Sequence, residues 1–471
     1  MRKGVVLFVS SGMIRPKKRD HQLARLHLYL NYGLLGLASQ IARQGHEAIV
    51  FMGDFARPDE MAADIASRGF LPSSYPLFIS LPSYFSVGWA REFCAKLREL
   101  QSDLKIVVGG RWVVGTDGSW VRGRIPEVDL VVYGTADDRI AALLSPDRWG
   151  QVGGTDLAGP GPPESSGGPF PRLAYKLLDG FDRYHPSIEV SRGCGKGCNF
   201  CVERAISRTP PRSPQDILEA VSDCYDVYET RDLRFYFEAS MLSPGHVWAR
   251  DLGSLFCRNE MAPKWRCETR ADAVSPRALE ALAESGLQVV DVGLESASPR
   301  QLTRMGKAGN PSAYLKAASR FLHGCRDLGI WAKVNVLLYP GEDEGSVRET
   351  REWLDEHRDC IKGISANPLV VYGSGEEGRS HLAYVSSLGA GAVSPMSLEE
   401  NGYAELNLSR SMDRDQAEYW CLAICREFMD ERDYYDLKSF AYFPRRLSYE
   451  DFRAISVKED PDLLPFGQTT L

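Results

Sequence analysis

Short apolar runs rich in β-branched residues alternate with amphipathic stretches along the first 145 residues, which predicts a parallel sheet covered by helices. Strands are expected over 5–9, 48–52, 77–81, 105–108 and 130–133. Between the first two, Leu34, Leu35, Leu37, Ala38 and Ile41 line one face of a helix over 31–44 that ends near Gly45. Residues 1–145 therefore read as a Rossmann-like βα array. The next stretch, 146–184, is dense in Gly, Pro and Ser, cannot bury a core and reads as a linker. A second alternating series follows, with strands over 187–190, 233–237, 265–269, 289–293, 331–338 and 361–371. Helices are expected between them over 213–228, 276–285, 312–328 and 346–357. Six βα units suit a partial, open (β/α)6 barrel over 185–370 better than a closed eight-unit barrel. Residues 371–471 are expected to form a small α-rich C-terminal domain that recognises the substrate. It has a helix over about 415–430 and an aromatic stretch over 434–443 that either packs internally or lines a pocket. The fold class is α/β.

Composition adds bounds. The chain has 471 residues, with 44% hydrophobic, 25% charged and 10% aromatic, which is ordinary for a globular protein of two or three domains. Its 56 Lys and Arg against 63 Asp and Glu leave a net charge of −7, with no long basic block. Long nucleic acid is thus a poor partner. The apolar run over 5–9 is too short for a secretory core or a membrane span, so a cytoplasmic location is expected. The 11 cysteines then read as free thiols or metal ligands rather than disulfides.

Three of them stand together in the run Ser191-Arg192-Gly193-Cys194-Gly195-Lys196-Gly197-Cys198-Asn199-Phe200-Cys201, directly after the first strand of the second series. Three thiolates at this spacing in a glycine-rich loop can bend round three irons of a cubane, leaving the fourth iron open to a chelating substrate. A zinc site or three buried structural thiols are the other readings. Zinc normally wants four protein ligands, or three and water, and no fourth Cys or His lies at zinc-like spacing. The remaining cysteines read as small buried hydrophobes.

Cys194, Cys198, Phe200 and Cys201 match CxxxCxφC, with φ aromatic, and here the sequence resembles the radical S-adenosylmethionine (SAM) superfamily. The resemblance implies a [4Fe-4S] cluster on Cys194, Cys198 and Cys201, with SAM chelating the open iron and cleaved by one electron to a 5′-deoxyadenosyl radical. It also implies SAM contacts beyond Phe200. Glu238, at the end of the second strand, would hold the methionine amine, or is a solvated loop acid. Arg270 in Cys267-Glu268-Thr269-Arg270-Ala271-Asp272 would fork onto the methionyl carboxylate, or forms a salt bridge inside the barrel. Glu295 in Val292-Gly293-Leu294-Glu295-Ser296 would approach the ribose or methionine. The stretch Val334–Glu342 would flank adenine, with Tyr339 where a small residue is more usual.

A Rossmann-like domain before such a barrel is similar to the cobalamin-dependent subclass, most like the class B methyltransferases. The groups carrying this likeness include Ile79-Ser80-Leu81-Pro82-Ser83, Val107-Val108-Gly109-Gly110 and Asp129-Leu130-Val131-Val132-Tyr133-Gly134-Thr135. They lie at or just after strand ends, where open α/β sheets bind ligands. Ser80, Leu81, Ser83, Tyr84, Gly109, Gly110, Gly134 and Thr135 are the cobalamin contacts so implied; turn-forming glycine is the plainer reading. No histidine stands in a DxHxxG pattern, so no histidine ligand beneath cobalt is expected, and Tyr84 or a neighbour is expected to face that position. Residues 1–145 contain only Cys94, whereas the related methylthiotransferases need three further cysteines there.

The function implied is methyl transfer from SAM, through methylcobalamin, to a carbon of a small-molecule, specialised-metabolite substrate, with flavodoxin or ferredoxin as the reducing partner. One alternative is cyclisation, ring contraction or oxidation with the same cofactors. Another is a non-catalytic iron–sulfur electron-transfer protein, a role that a lone three-cysteine site fits poorly.

Overall fold

A computed structural model describes residues 4–16, 19–113, 118–134, 136–137, 139–151, 156–157, 170–204 and 206–467. The chain divides into two compact units. One comprises Met1–Arg183, Tyr372–Arg379 and Leu398–Tyr403; the other comprises Tyr184–Val371, Ser380–Ser397 and Ala404–Leu471.

In the first unit, β1 (Val5–Ser10), β2 (Glu47–Met52), β3 (Leu77–Ser80), β4 (Ile106–Gly109), β5 (Leu130–Val132) and β6 (Asp156–Leu157) form a parallel sheet in the order β2-β1-β3-β4-β5-β6. All six residues of β1 and all four of β3 are buried, because helices cover both faces. One such layer packs Trp89, Phe93 and Leu97 of the helix Val87–Leu100 against Leu7, Val9, Ile79 and Val108. β6 lies inside the stretch expected as a linker. Further along that stretch, the Ala174 amide donates to Ser39 Oγ at 2.9 Å. The order reverses between β1 and β3, and Asn31 sits at that switch. Its Oδ1 caps the helix Tyr32–Arg43 by accepting from the Leu34 amide, while its Nδ2 donates to Ser10 Oγ on β1 and Ser80 Oγ on β3.

In the second unit, β7 (Ser187–Glu189), β8 (Arg234–Glu238), β9 (Lys264–Arg270), β10 (Leu287–Glu295), β11 (Trp331–Leu338) and β12 (Gly363–Pro368) pair in simple sequence order, all parallel. This is the expected partial (β/α)6 barrel. The intervening helices start on strong signals: Ser213 caps Pro214–Tyr228, Ser275 caps Pro276–Glu284, and Asp343 with Ser346 forms a capping box on Glu344–Glu356. Phe235, Phe237, Trp265, Cys267, Val290, Val292, Val334 and Val336 are buried on the helix-covered side. Alternate positions turn Tyr236, Glu238, Arg266, Glu268, Arg270, Asp291, Lys333 and Asn335 to the inner side.

The C-terminal region is helical over Arg414–Phe428, Glu431–Ser439 and Tyr449–Ser456, and adds a three-stranded sheet absent from the sequence reading: β13 (Val370–Tyr372), β14 (Gly391–Ala392) and β15 (Tyr403–Asn407), in the order β13-β15-β14. Within its aromatic stretch Tyr434 and Phe443 pack with Phe452 and Phe466, all four buried and in ring contact, whereas Tyr442 meets Tyr236 and Arg266 of the barrel. No helix among the described residues is long and apolar enough to cross a membrane.

Candidate functional site

The cysteine loop leaves the C-terminal end of β7. Its three glycines, Gly193, Gly195 and Gly197, all take left-handed φ of +68°, +68° and +69°, the conformation that winds the chain round a centre. At Gly193 a side chain would also collide with the Ser207 carbonyl. The loop is pinned on both sides. The Gly195 amide donates to the Ile206 carbonyl at 3.2 Å, the Asn199 amide donates to the Met305 carbonyl at 2.8 Å, and Arg192 forks onto Glu189 at 2.7 and 2.9 Å.

All eleven cysteines are free thiols. Burial raises the Cys194 thiol and pushes Cys201 up to about 11, so ionisation of these sulfurs calls for a positive partner. Among the described residues, no three His, Cys, Asp or Glu side chains converge as ligands of one ion.

Around the loop, Arg270 Nη1 donates to Cys198 Sγ at 3.4 Å, its Nη2 donates to the Lys307 carbonyl at 2.7 Å, and its Nε donates to Asp272 at 2.9 Å. Phe200 lies 6.5 Å from the Tyr339 ring and 5.9 Å from Lys307 Nζ, centroid distances in each case. Lys307 in turn pairs with Glu295 at 3.0 Å. Glu295 itself is a non-glycine residue at left-handed φ of +68°, where the register of β10 against β11 shifts. Gly293 leaves room for both: a Cβ there would lie 2.9 Å from Glu295 Oε1 and 3.2 Å from Lys307 Nζ.

Deeper on the inner side, Arg266 forks onto Asp291 at 2.6 and 2.7 Å, and Lys333 joins at 2.8 Å. Burial opposes the charge on Asp291, but these two cations hold its carboxyl well below the usual range. Glu238 and Glu268 are not forked by a guanidinium in this way. Burial is the main cause that pushes Glu238 up to about 8, against the 2.9 Å hydrogen bond from Ser187 Oγ, with Glu268 and Glu189 adding repulsion. Burial and Asp291 raise Glu268 above the usual carboxylate range, against the pull of Lys333 and Lys307.

Sequence reasoning thus brought Cys194, Cys198, Cys201, Phe200, Arg270 and Glu295 to one place. It missed Lys307, which no motif marked, and Glu268, whose only signal was its i−2 position to Arg270 on a strand.

In the first unit, Ser80 and Gly109 end β3 and β4, and Gly110 follows at φ +111°. A Cβ on Gly110 would stand 2.8 Å from Leu81 N, Leu81 O and Ser80 Oγ, so Ser80, Leu81, Gly109 and Gly110 form one close-packed rim. Gly134, exposed at φ +70°, stands two residues past β5. Ser83 Oγ accepts from the Phe85 amide. Tyr84 is buried, stacked on Tyr372 at 6.2 Å and in ring contact with Trp112 and Trp120, so its side chain is built into an aromatic cluster. Thr135 lies outside the described residues.

Residues 188–354 match the radical SAM superfamily. These residues are a radical SAM domain. It contains the cysteine loop, Glu238, Arg270, Glu295 and Lys307 in one match. The chain is 24% identical over 342 residues to an uncharacterised methyltransferase of Pyrococcus horikoshii, covering 68% of this chain and 71% of that one. It is 25% identical over 224 residues to the ribosomal protein uS12 methylthiotransferase RimO of Methylorubrum populi, covering 40% of this chain and 47%, about half, of that protein. Beyond the radical SAM domain, the whole chain follows the fold of the radical SAM methyltransferase TsrM from Kitasatospora setae, solved with cobalamin and a [4Fe-4S] cluster bound. The TM-score is 0.64 at 16% identity, with 100% of this chain and 92% of that one covered. At that identity the likeness is one of fold.

Proposed function

We propose that the protein is a cobalamin-dependent radical SAM methyltransferase that methylates a carbon of a small, specialised metabolite. One observation carries the reading: a three-cysteine loop at the head of a radical SAM barrel, in a chain whose fold matches TsrM from end to end. Cys194, Cys198 and Cys201 would hold the [4Fe-4S] cluster, and Ser80, Leu81, Ser83, Tyr84, Gly109, Gly110, Gly134 and Thr135 would face cobalamin. When bound, cluster, SAM and cobalamin supply radical generation and methyl carriage, chemistry that side chains cannot perform.

The chain's own residues do the rest. Phe200, beside Tyr339 and Lys307, forms an aromatic wall next to the cluster loop. Glu238, held protonated at neutral pH, would give up its proton to pair with an arriving ammonium such as the methionine amine of SAM. Glu295 is aimed by its backbone and by Lys307. A low-potential donor of the flavodoxin or ferredoxin kind would supply the electron, in the cytoplasm.

The test is anaerobic turnover of small-molecule extracts with trideuteriomethyl-SAM, a reductant, and protein with or without cobalamin. The expected result is a product bearing the labelled methyl group, with S-adenosylhomocysteine, only when cobalamin is present. Full methylation by cobalamin-free protein, or a product changed in mass without a labelled methyl group, would overturn the proposal.

A further inference from the structure

We propose that Arg270 is a hydrogen-bond donor to the cluster-binding sulfur of Cys198, which with Lys307 raises the reduction potential of the cluster, and that binding the SAM carboxylate is not its main task. The inference rests on the reading that Cys194, Cys198 and Cys201 hold an iron–sulfur cluster.

The guanidinium has five N–H donors in a fixed plane, and most of them are committed. Nε and Nη2 face the two oxygens of Asp272 at 2.9 and 3.3 Å, Nη2 also donates to the Lys307 carbonyl at 2.7 Å, and Nη1 donates to Cys198 Sγ at 3.4 Å. The group lies over the Tyr314 ring at 5.6 Å, and Tyr314 is itself tied by its hydroxyl to the Gly293 and Leu294 carbonyls at 2.9 and 3.1 Å. Arg270 is 7% exposed and Lys307 is 6% exposed. A bidentate grip on an incoming carboxylate would require the edge that Asp272 already fills. The edge turned towards the cysteine loop meets sulfur.

The same contact that fixes Arg270 fixes Lys307. Its carbonyl receives Arg270, while its ammonium reaches Glu295 and the face of Phe200. Two cations therefore sit beside the loop in a poorly solvated setting. Asp272, which offsets Arg270, is on the more exposed side, its side chain 28% exposed against 8% for Arg270.

Reduction adds one negative charge to the cluster. A hydrogen bond to a ligating sulfur and a nearby buried cation stabilise the reduced state more than the oxidised one, which raises the potential. Removing Arg270 must therefore make the cluster harder to reduce before SAM is present at all. A carboxylate clamp that made no bond to sulfur would show chiefly as weaker SAM binding.

The experiment is a redox titration of anaerobically reconstituted full-length protein without SAM, followed by the EPR signal of the reduced cluster, with iron counted on each sample. Arg270→Gln is expected to shift the reduction equilibrium at least tenfold towards the oxidised form, a midpoint lower by about 59 mV for one electron. Arg270→Lys, which keeps the charge and loses the fork, should recover part of that shift. Asp272→Asn, which leaves Arg270 with less of its charge offset, should move the midpoint in the opposite direction. A folded, iron-replete Arg270→Gln protein with an unchanged midpoint and weaker SAM binding would overturn the assignment. If Arg270→Gln fails to retain iron, Asp272→Asn decides: an upward shift supports the assignment and an unchanged midpoint overturns it. Wild-type protein that takes up no iron would instead defeat the functional reading beneath it.

Discussion

Both six-stranded sheets are parallel and built from βα units, yet they present different surfaces to a ligand. The first buries both faces; β1 reads VVLFVS and is buried at every position. What it can offer is its edge, where Ser80, Leu81, Gly109 and Gly110 leave little but backbone. The second is apolar only on the side that faces its helices; its inner side carries Arg266, Glu268, Arg270, Asp291 and Lys333, of which Arg266, Arg270 and Asp291 are themselves buried. A flat ligand that needs close approach suits the edge of the first. A charged ligand, with groups to be gripped one by one, suits the inside of the second. The difference lies in alternation, clearest in β9, which reads Trp265-Arg266-Cys267-Glu268-Thr269-Arg270.

The contrast breaks most sharply at the Arg266–Asp291 pair, whose side chains are 0% and 4% exposed. Arg266→Met would leave Asp291 buried with Lys333 as its remaining cation, and about 3–5 kcal/mol of stability should be lost, as is usual when one partner of a buried pair is removed. Urea unfolding measures this. A loss below about 1 kcal/mol, the range of surface pairs, would mean that the charged interior is not what holds the second sheet.

A smaller effect is expected at the rim of the first sheet. Gly110→Ala places a Cβ against Leu81 and Ser80 at a φ of +111°, and should cost about 1–3 kcal/mol while lowering cobalamin uptake. The visible spectrum of cobalamin-supplemented protein reads the second part. Normal uptake by the folded variant would take the ligand away from this edge.

The smallest effect is in pH dependence. The folded-state pKa of Glu238 lies near 8, above the ordinary 4.5, so the folded protein binds a proton more tightly than the unfolded chain. Its contribution therefore favours folding at pH 5 and fades as pH rises through about 8. Glu238→Gln should flatten this dependence, raising Tm at pH 8.5 relative to wild type more than at pH 5, in protein without SAM.

Much of this was legible beforehand because it is local. The alternation of β9, the Ser213-Pro214 helix start and the CxxxCxφC loop each sit within a few residues of one another. What was not legible depends on contacts across the fold. Lys307 reaches Glu295 from three residues past the helix Pro299–Arg304, and Arg270, besides the ion pair with Asp272 that its own motif holds, donates to a sulfur 72 residues earlier in the chain. Tyr84 shows the same limit. It stacks on Tyr372, a residue 288 positions on, and no local pattern announces that pairing. The segment 434–443 offered two readings: Tyr434 packs on Phe452 and Phe466, while Tyr442 meets Tyr236 and Arg266 on the inner side of the barrel.

The most direct measurement is the EPR spectrum of the anaerobically reconstituted, dithionite-reduced protein with and without SAM, with iron counted on the same sample. A cubane held by three cysteines predicts about four irons per chain. It also predicts a signal that changes when SAM is added, and loss of both in the Cys194→Ala, Cys198→Ala, Cys201→Ala triple variant. A reduced cluster whose signal ignores SAM, or one that persists in the triple variant, would contradict the open iron site on which the proposed chemistry depends.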